Sequence, residues 1–191
     1  MRKLERLLWA IGAACLGWCG LTLLEARSYQ SSHAAAFSRN LTPVTLPPML
    51  AAAPRAKVAD RTAIGLIEIR RLGMSAIIGE GDGEATLRLA VGHIPGTAFP
   101  GGIGNVGLAG HRDTFFRSLS RIRVDDEIRV TGEGGVAFVY RVNSRAIVDP
   151  SDVSVLEAGP NASLTLVTCY PFHYLGPAPK RFVVRAGRVP V

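Results

Sequence analysis

One segment limits every fold open to this chain. From Leu7 to Leu24, LLWAIGAACLGWCGLTLL, eighteen residues pass without a charge. A helix of that length spans about 27 Å at ~1.5 Å per residue, close to the ~30 Å hydrocarbon thickness of a bilayer. It has no polar face, so it does not suit a helix half-buried on a soluble domain. Arg2, Lys3 and Arg6 precede it with one acidic residue, Glu5. Positive charge on the short N-terminal side predicts a single-pass anchor in the cell membrane, N-terminus cytoplasmic and everything after Leu24 outside. A cleaved signal peptide is the competing reading. Its apolar region normally runs about 7–15 residues, closely followed by a small-x-small site, whereas Ala34–Ala36 lies well beyond this one. The expected organisation is a cytoplasmic N-terminus (1–6), an anchor (7–24), a flexible stalk (25–61) rich in Ser, Ala and Pro, and a folded domain (62–191).

An outside location changes the meaning of the cysteines. Cys15 and Cys19 sit within the apolar segment, which leaves Cys169 as the one thiol of the exported part. An unpaired cysteine where disulfides are permitted points to an intermolecular bond or a reactive thiol. One thiolate is too few for the usual structural zinc sites, and no compact run of carboxylates suggests calcium, so no metal or cofactor is expected. The formal net charge is +7, but the basic residues are scattered and not interleaved with aromatics. That excludes a nucleic-acid-binding patch and fits a solvated surface near an anionic envelope.

After the stalk, the pattern becomes short strands between turn signals. Expected strands are Ala63–Ile69, Leu72–Ile78, a small-residue strand ending near His111, a hairpin around Gly132–Gly135, SLTLVTC ending at Cys169, and RFVVRA starting at Arg181. Asp82 and Asp113 are candidate caps of short helices, and DPSDVSVLEA fits one or two helical turns. About eight short strands with few helices imply a mainly β domain, a closed or nearly closed barrel or a sandwich.

Cys169 ends a run of strand formers and is followed by Tyr170-Pro171, which places the thiol at a strand's rim. A free cysteine is often just a small core residue. A nucleophilic one needs a base to generate thiolate and a donor for the oxyanion formed on attack. His33 lies in the stalk, and His173 lies in the loop just past Cys169. His93, in GHIPGT, reads as a turn residue closing local hydrogen bonds. His111, in AGHRDTFF, comes after small residues that permit close approach and is the better base. Arg181 emerges near the rim of Cys169 if the last two strands pair, and offers several donors in a fixed fork.

Taken together, GNVGLAGHRD, TLVTC (Thr165–Cys169) and KRFVVRA resemble the sortases, membrane-anchored cysteine transpeptidases of bacterial surfaces. The resemblance covers about Ala63 to Ala186, and CYPFHYLGPAPKRFVVRA with GHIPGT is most similar to class D. It implies a closed eight-stranded β-barrel, with Cys169 as nucleophile, His111 as general acid/base and Arg181 as substrate and oxyanion donor. By the same resemblance, Thr168 and His173 border the substrate groove. The implied partners are secreted proteins with a Leu-Pro-x-Thr-Gly-like C-terminal signal, cut after Thr, and an amine acceptor of cell-wall or pilin type. Two other readings stay open: an exported cysteine peptidase that only hydrolyses, and a non-catalytic envelope-binding β-domain.

Overall fold

A computed structural model describes residues 2–38 and 59–189. Eight strands close into a barrel: β1 (Ala63–Ile69), β2 (Met74–Glu80), β3 (Val91–His93), β4 (Asn105–Ala109), β5 (Glu127–Gly132), β6 (Ala137–Val148), β7 (Ser163–Tyr170) and β8 (Lys180–Arg188). The order around the barrel is β1-β2-β3-β4-β7-β8-β6-β5, and β5 pairs back onto β1. An eight-stranded barrel has an interior just wide enough for side chains to fill. Here Ile67, Ile78, Val106, Leu108, Leu164, Leu166, Val184 and Tyr140 fill it. Closure leaves no sheet edge open to other chains.

Most neighbours are antiparallel, but β2 pairs β3, and β4 pairs β7, in parallel. The first pair needs a crossover, supplied by the short helix α2 (Glu84–Leu87). The second runs Asn105↔Ser163 through Ala109↔Val167. Because the strands are parallel, their C-terminal ends reach the same rim. The residues after Ala109 therefore lie beside those after Val167.

The β7 strand is buried on both faces. Leu164 and Leu166 enter the core, while the Thr165 hydroxyl donates to Asn105 Oδ1 (2.9 Å) beneath the helical turn Val153–Leu156. In that turn Asp152 accepts from the Ser154 amide, as a cap should. Elsewhere capping departs from expectation. Asp82 does not cap α2, whose first flanking residue is Gly83, and Asp113 caps nothing in the 3-10 turn Arg117–Arg121. The expected Leu72–Ile78 strand starts two residues later. Arg70–Leu72 form a 3-10 turn closed by Gly73 at φ 62°, a left-handed conformation in which a side chain is strained.

A long helix, α1 (Arg2–Ser38), precedes the barrel, and among the described helices it alone is long and apolar enough to cross a membrane. It does not stop at Leu24. Residues 25–38 of the expected stalk are helical, and the last turns lie on the barrel. Phe37 is buried there with Leu66 and Ile77, with Tyr29 and Ala34 packed alongside. Residues 39–58 of the same expected stalk lie outside the described residues.

Candidate active site

The rim where β4 and β7 end carries the candidate residues. Cys169 is the next-to-last residue of β7, half-buried and unpaired. Its Cα partner across the antiparallel β7–β8 ladder is Arg181. Side chains of directly paired residues leave the sheet on the same face, so the thiol and the guanidinium share one side of the rim. The Arg181 guanidinium donates to the carbonyls of Ala178 (3.3 Å) and Lys180 (3.1 Å), and no carboxylate among the described residues forms an ion pair with it.

His111 reaches the same rim from the other side. The β4–β7 register offsets residues by a constant step, Ala109 opposite Val167, and the ladder runs one residue further through Gly110 N–H donating to Val167 O (3.2 Å). His111 is the next residue, one step past the last bond of this ladder, and so leaves β4 at the rim where β7 carries Cys169. Two contacts hold the corner. The Thr168 hydroxyl, buried, donates to the Gly110 carbonyl (2.7 Å), and the Phe116 amide donates to the His111 carbonyl (3.1 Å). Gly110 is required for steric reasons, since a Cβ there would sit 2.8 Å from the Phe116 ring. The imidazole is one-third exposed, and its Nε2 faces the solvated Glu84 carboxylate of α2 at 3.8 Å.

The other residues singled out from sequence occupy different surroundings. Thr168 lies beneath the rim, where it ties β7 to the His111 corner. His173 is exposed on the β7–β8 loop. His93 is buried at 1% exposure, stacked on Phe99, with Nε2 against the Ala98 carbonyl (3.0 Å) and the Thr97 hydroxyl (3.2 Å). These are the local hydrogen bonds expected of the GHIPGT turn. Its long-range partner was not foreseen: Nδ1 lies 2.8 Å from Glu80 Oε2 inside the barrel wall. Nothing in the sequence signals that pairing, because it depends on the parallel alignment of β2 with β3 that sets Glu80 opposite His93.

Arg112 was also missed. Its guanidinium donates to the carbonyls of Pro171 (2.9 Å), Tyr174 (2.7 Å) and Gly176 (3.3 Å) and lies over the Tyr174 ring. One side chain next to His111 thereby gathers the loop that leaves Cys169. Next to Cys169 and Arg181 in sequence, Tyr170, Phe172 and Phe182 form an aromatic cluster, with Phe172 and Phe182 packed against the barrel core. At the foot of β8, Lys180 pairs with Asp149 (3.1 Å), whose carboxyl is held down to about 2 by hydrogen bonds from Ser151 and then from Lys180.

A strand-end thiol, a histidine two residues past the end of the neighbouring parallel strand and an arginine on the antiparallel strand thus come to one rim. The Sortase domain model matches residues 67–189, well over half of the 191-residue chain. The chain belongs to the sortase family. Sortase D of Bacillus subtilis (strain 168) is 36% identical over 128 residues, 66% of this chain and 64% of that protein. Sortase SrtE1 of Streptomyces coelicolor is 35% identical over 125 residues, 56% of this chain and 35% of its own length. The chain thus spans less than two thirds of either curated sortase. Among solved structures, a Clostridium perfringens sortase D5 transpeptidase superposes with a TM-score of 0.64 at 31% identity, covering 70% of this chain and 83% of that one. The eight-stranded barrel, its apolar N-terminal helix and the class D likeness expected from sequence all hold for this sortase.

Proposed function

We propose that this sortase is a membrane-anchored cysteine transpeptidase in which Cys169, His111 and Arg181 act together. The observation that carries the proposal is the register of three adjacent strands, which brings a thiol, an imidazole and a guanidinium to one end of the barrel. The Cys169 thiolate attacks the threonine carbonyl of a Leu-Pro-x-Thr-Gly-like signal, and the C–S bond forms as the carbonyl oxygen becomes an oxyanion. Arg181 donates to that oxyanion, exchanging the backbone carbonyls it now holds for the developing charge. His111 protonates the departing glycine amine as the C–N bond breaks, which leaves a thioester. An acceptor amine then attacks the thioester, His111 takes its proton, and Cys169 leaves as thiolate.

The anchor supports the same reading. α1 is of spanning length, its basic residues precede the apolar run, and the barrel then faces the outer side with the substrates and their amine acceptor. Thr168 contributes by holding the His111 corner, and His173 borders the groove on the exposed β7–β8 loop.

The test is product analysis on a signal peptide with and without added amine. The amide-linked product should appear only with amine, at the expense of hydrolysis. Hydrolysis unaffected by any amine would make the protein a peptidase, and no cleavage of any such peptide would leave a binding domain.

A further inference from the structure

The segment joining membrane to barrel is built as a strut. The helix α1 passes Leu24 without a break and continues to Ser38. Its hydrogen bonds to the barrel begin five residues past Leu24, about 7.5 Å along the helix axis. Tyr29 Oη donates to the Arg61 carbonyl (2.6 Å). The Gln30 amide fits the sheet itself: its oxygen accepts from the Ile77 amide (2.8 Å) and its nitrogen donates to the Leu89 carbonyl (2.7 Å). β3 begins only at Val91, opposite Ile78, so Ile77 has no β3 partner. Gln30 supplies that missing partner with side-chain atoms. Phe37, two turns further, is 9% exposed over Leu66 and Ile77. A flexible tether needs none of these contacts.

The strut also sets which face of the barrel meets the bilayer. Glu25, the first residue after the apolar run, lies 3.5 Å from Arg88, whose amide bonds to the Glu84 carbonyl one turn earlier in α2. Glu84 is the carboxylate facing His111. From the membrane boundary to the imidazole the path therefore crosses one ion pair, one turn of α2 and one side-chain contact. Phe37 and the strand faces it covers lie about 20 Å further out along α1.

We infer that residues 25–38 form a rigid strut that holds the α2–His111 side of the barrel against the lipid surface at a fixed height, so that the site selects polypeptides whose cleavage sequence emerges a set, short distance from the same bilayer. This rests on the anchored transpeptidase reading above and adds a geometric selection to it. A soluble signal peptide bypasses the selection, but a membrane-tethered one does not.

The experiment uses the full chain in lipid vesicles. The substrates are one signal sequence in three forms: a soluble peptide, a peptide with a short spacer to a membrane-spanning segment, and the same peptide with a spacer three residues longer. Inserting seven helix-forming residues between Arg27 and Ser28 lifts the barrel by about 10 Å while turning it only ~20°. Three extended residues add back about 10 Å of reach. Turnover of the soluble peptide should be unchanged. Turnover of the short-spacer substrate should fall about tenfold or more as its effective concentration at the site drops, and the longer spacer should restore it. A spacer preference that does not move with the insertion overturns the inference, as does an equal fall on all three substrates, which would make the helix a folding element. Hydrogen exchange reads the docking without any substrate. The Ile77 amide should be protected in the full chain and exposed in Gln30→Ala. Equal exchange in the two proteins rejects the strut even if the transpeptidase reading stands, while no turnover of any form by the unmodified enzyme, with Ile77 protected, rejects only that reading.

Discussion

His93 and His111 make a natural experiment within one chain. Both come directly after a glycine, and both stand where a strand gives way to a loop. Yet His93 is sealed in the barrel wall, with acceptors at Nε2 and a carboxylate at Nδ1, whereas His111 is one-third exposed at the rim. Strand direction makes the difference. The β3 strand carries His93 alongside Glu80 of its parallel neighbour β2, into the sheet. The β4 strand runs the opposite way, parallel to β7, and releases His111 at the rim where β7 also ends. A histidine with every polar atom engaged inside the wall is a structural part. One left one-third exposed at the rim, with only a solvated carboxylate 3.8 Å from its ring, is the better candidate for proton transfer.

The largest effects should come from the rim. Cys169→Ala removes the nucleophile and should abolish both cleavage and transfer, with circular dichroism and melting unchanged. His111→Asn and Arg181→Ala should each lower kcat/KM by about 10²–10⁴-fold, the usual worth of proton transfer or of an oxyanion donor. His111→Asn retaining native turnover would erase the contrast between the two histidines.

How much of this was visible before the structure differs between the two corners. The β7 end could be read directly, because a strand of β-branched residues stopping at Cys-Tyr-Pro marks a rim. His111 was favoured by the glycine and alanine before it, and Gly110 against the Phe116 ring shows why small residues stand there. The three-residue β3 was missed, since its Val-Gly-His is too short and too glycine-rich to alternate. With it went the Glu80 partner of His93. The end of α1 was hidden for a different reason. SYQSSHAAAF carries no apolar period and looked like a tether, and it is ordered by a few long-range contacts, chiefly those of Gln30, that no local pattern encodes.

Next in size is Arg112, the neighbour of His111 that faces the loop instead of the thiol. Arg112→Ala frees the three carbonyls it holds, and the loop after Cys169 should loosen. The expected loss is about tenfold in kcat/KM, or ~1.4 kcal/mol, mostly through KM. Lysine should rescue it poorly, because one ammonium cannot span three acceptors in the guanidinium's fixed plane. A loss confined to kcat would instead place Arg112 in the chemistry.

The opposite signature is expected at the buried histidine. His93→Asn leaves Glu80 without its ring partner inside the wall and should destabilise the fold by about 1–3 kcal/mol, the usual cost of leaving a buried hydrogen-bonding group unsatisfied. Turnover per folded molecule should stay within about threefold, since His93 touches no reacting atom and far less than a ~1.4 kcal/mol tenfold change in the barrier is at stake. A folded His93→Asn protein as inactive as His111→Asn would reverse the assignment of the base.

The smallest effect lies away from both histidines. A hydrogen bond from Arg71 lowers the pKa of Asp126, at the end of the loop into β5. A carboxylate with a depressed folded-state pKa contributes stability that is complete above its unfolded value, ~3.9, and is lost as pH falls through the folded one. Asp126→Asn should therefore lower Tm at pH 7, and the difference from the parent should close as the pH drops below about 4. A gap that persists at low pH would mean that the side chain acts through packing and not charge.

Cys169, proposed to act with His111 and Arg181, should carry the peptide as a thioester. Intact mass analysis after mixing enzyme with a signal peptide in the absence of amine tests it most directly. The account predicts a mass gain equal to the peptide's N-terminal fragment up to its threonine, mapped to Cys169, released by hydroxylamine and absent from Cys169→Ala. Cleavage that proceeds with no adduct at any time point, or an adduct on another residue, would contradict it.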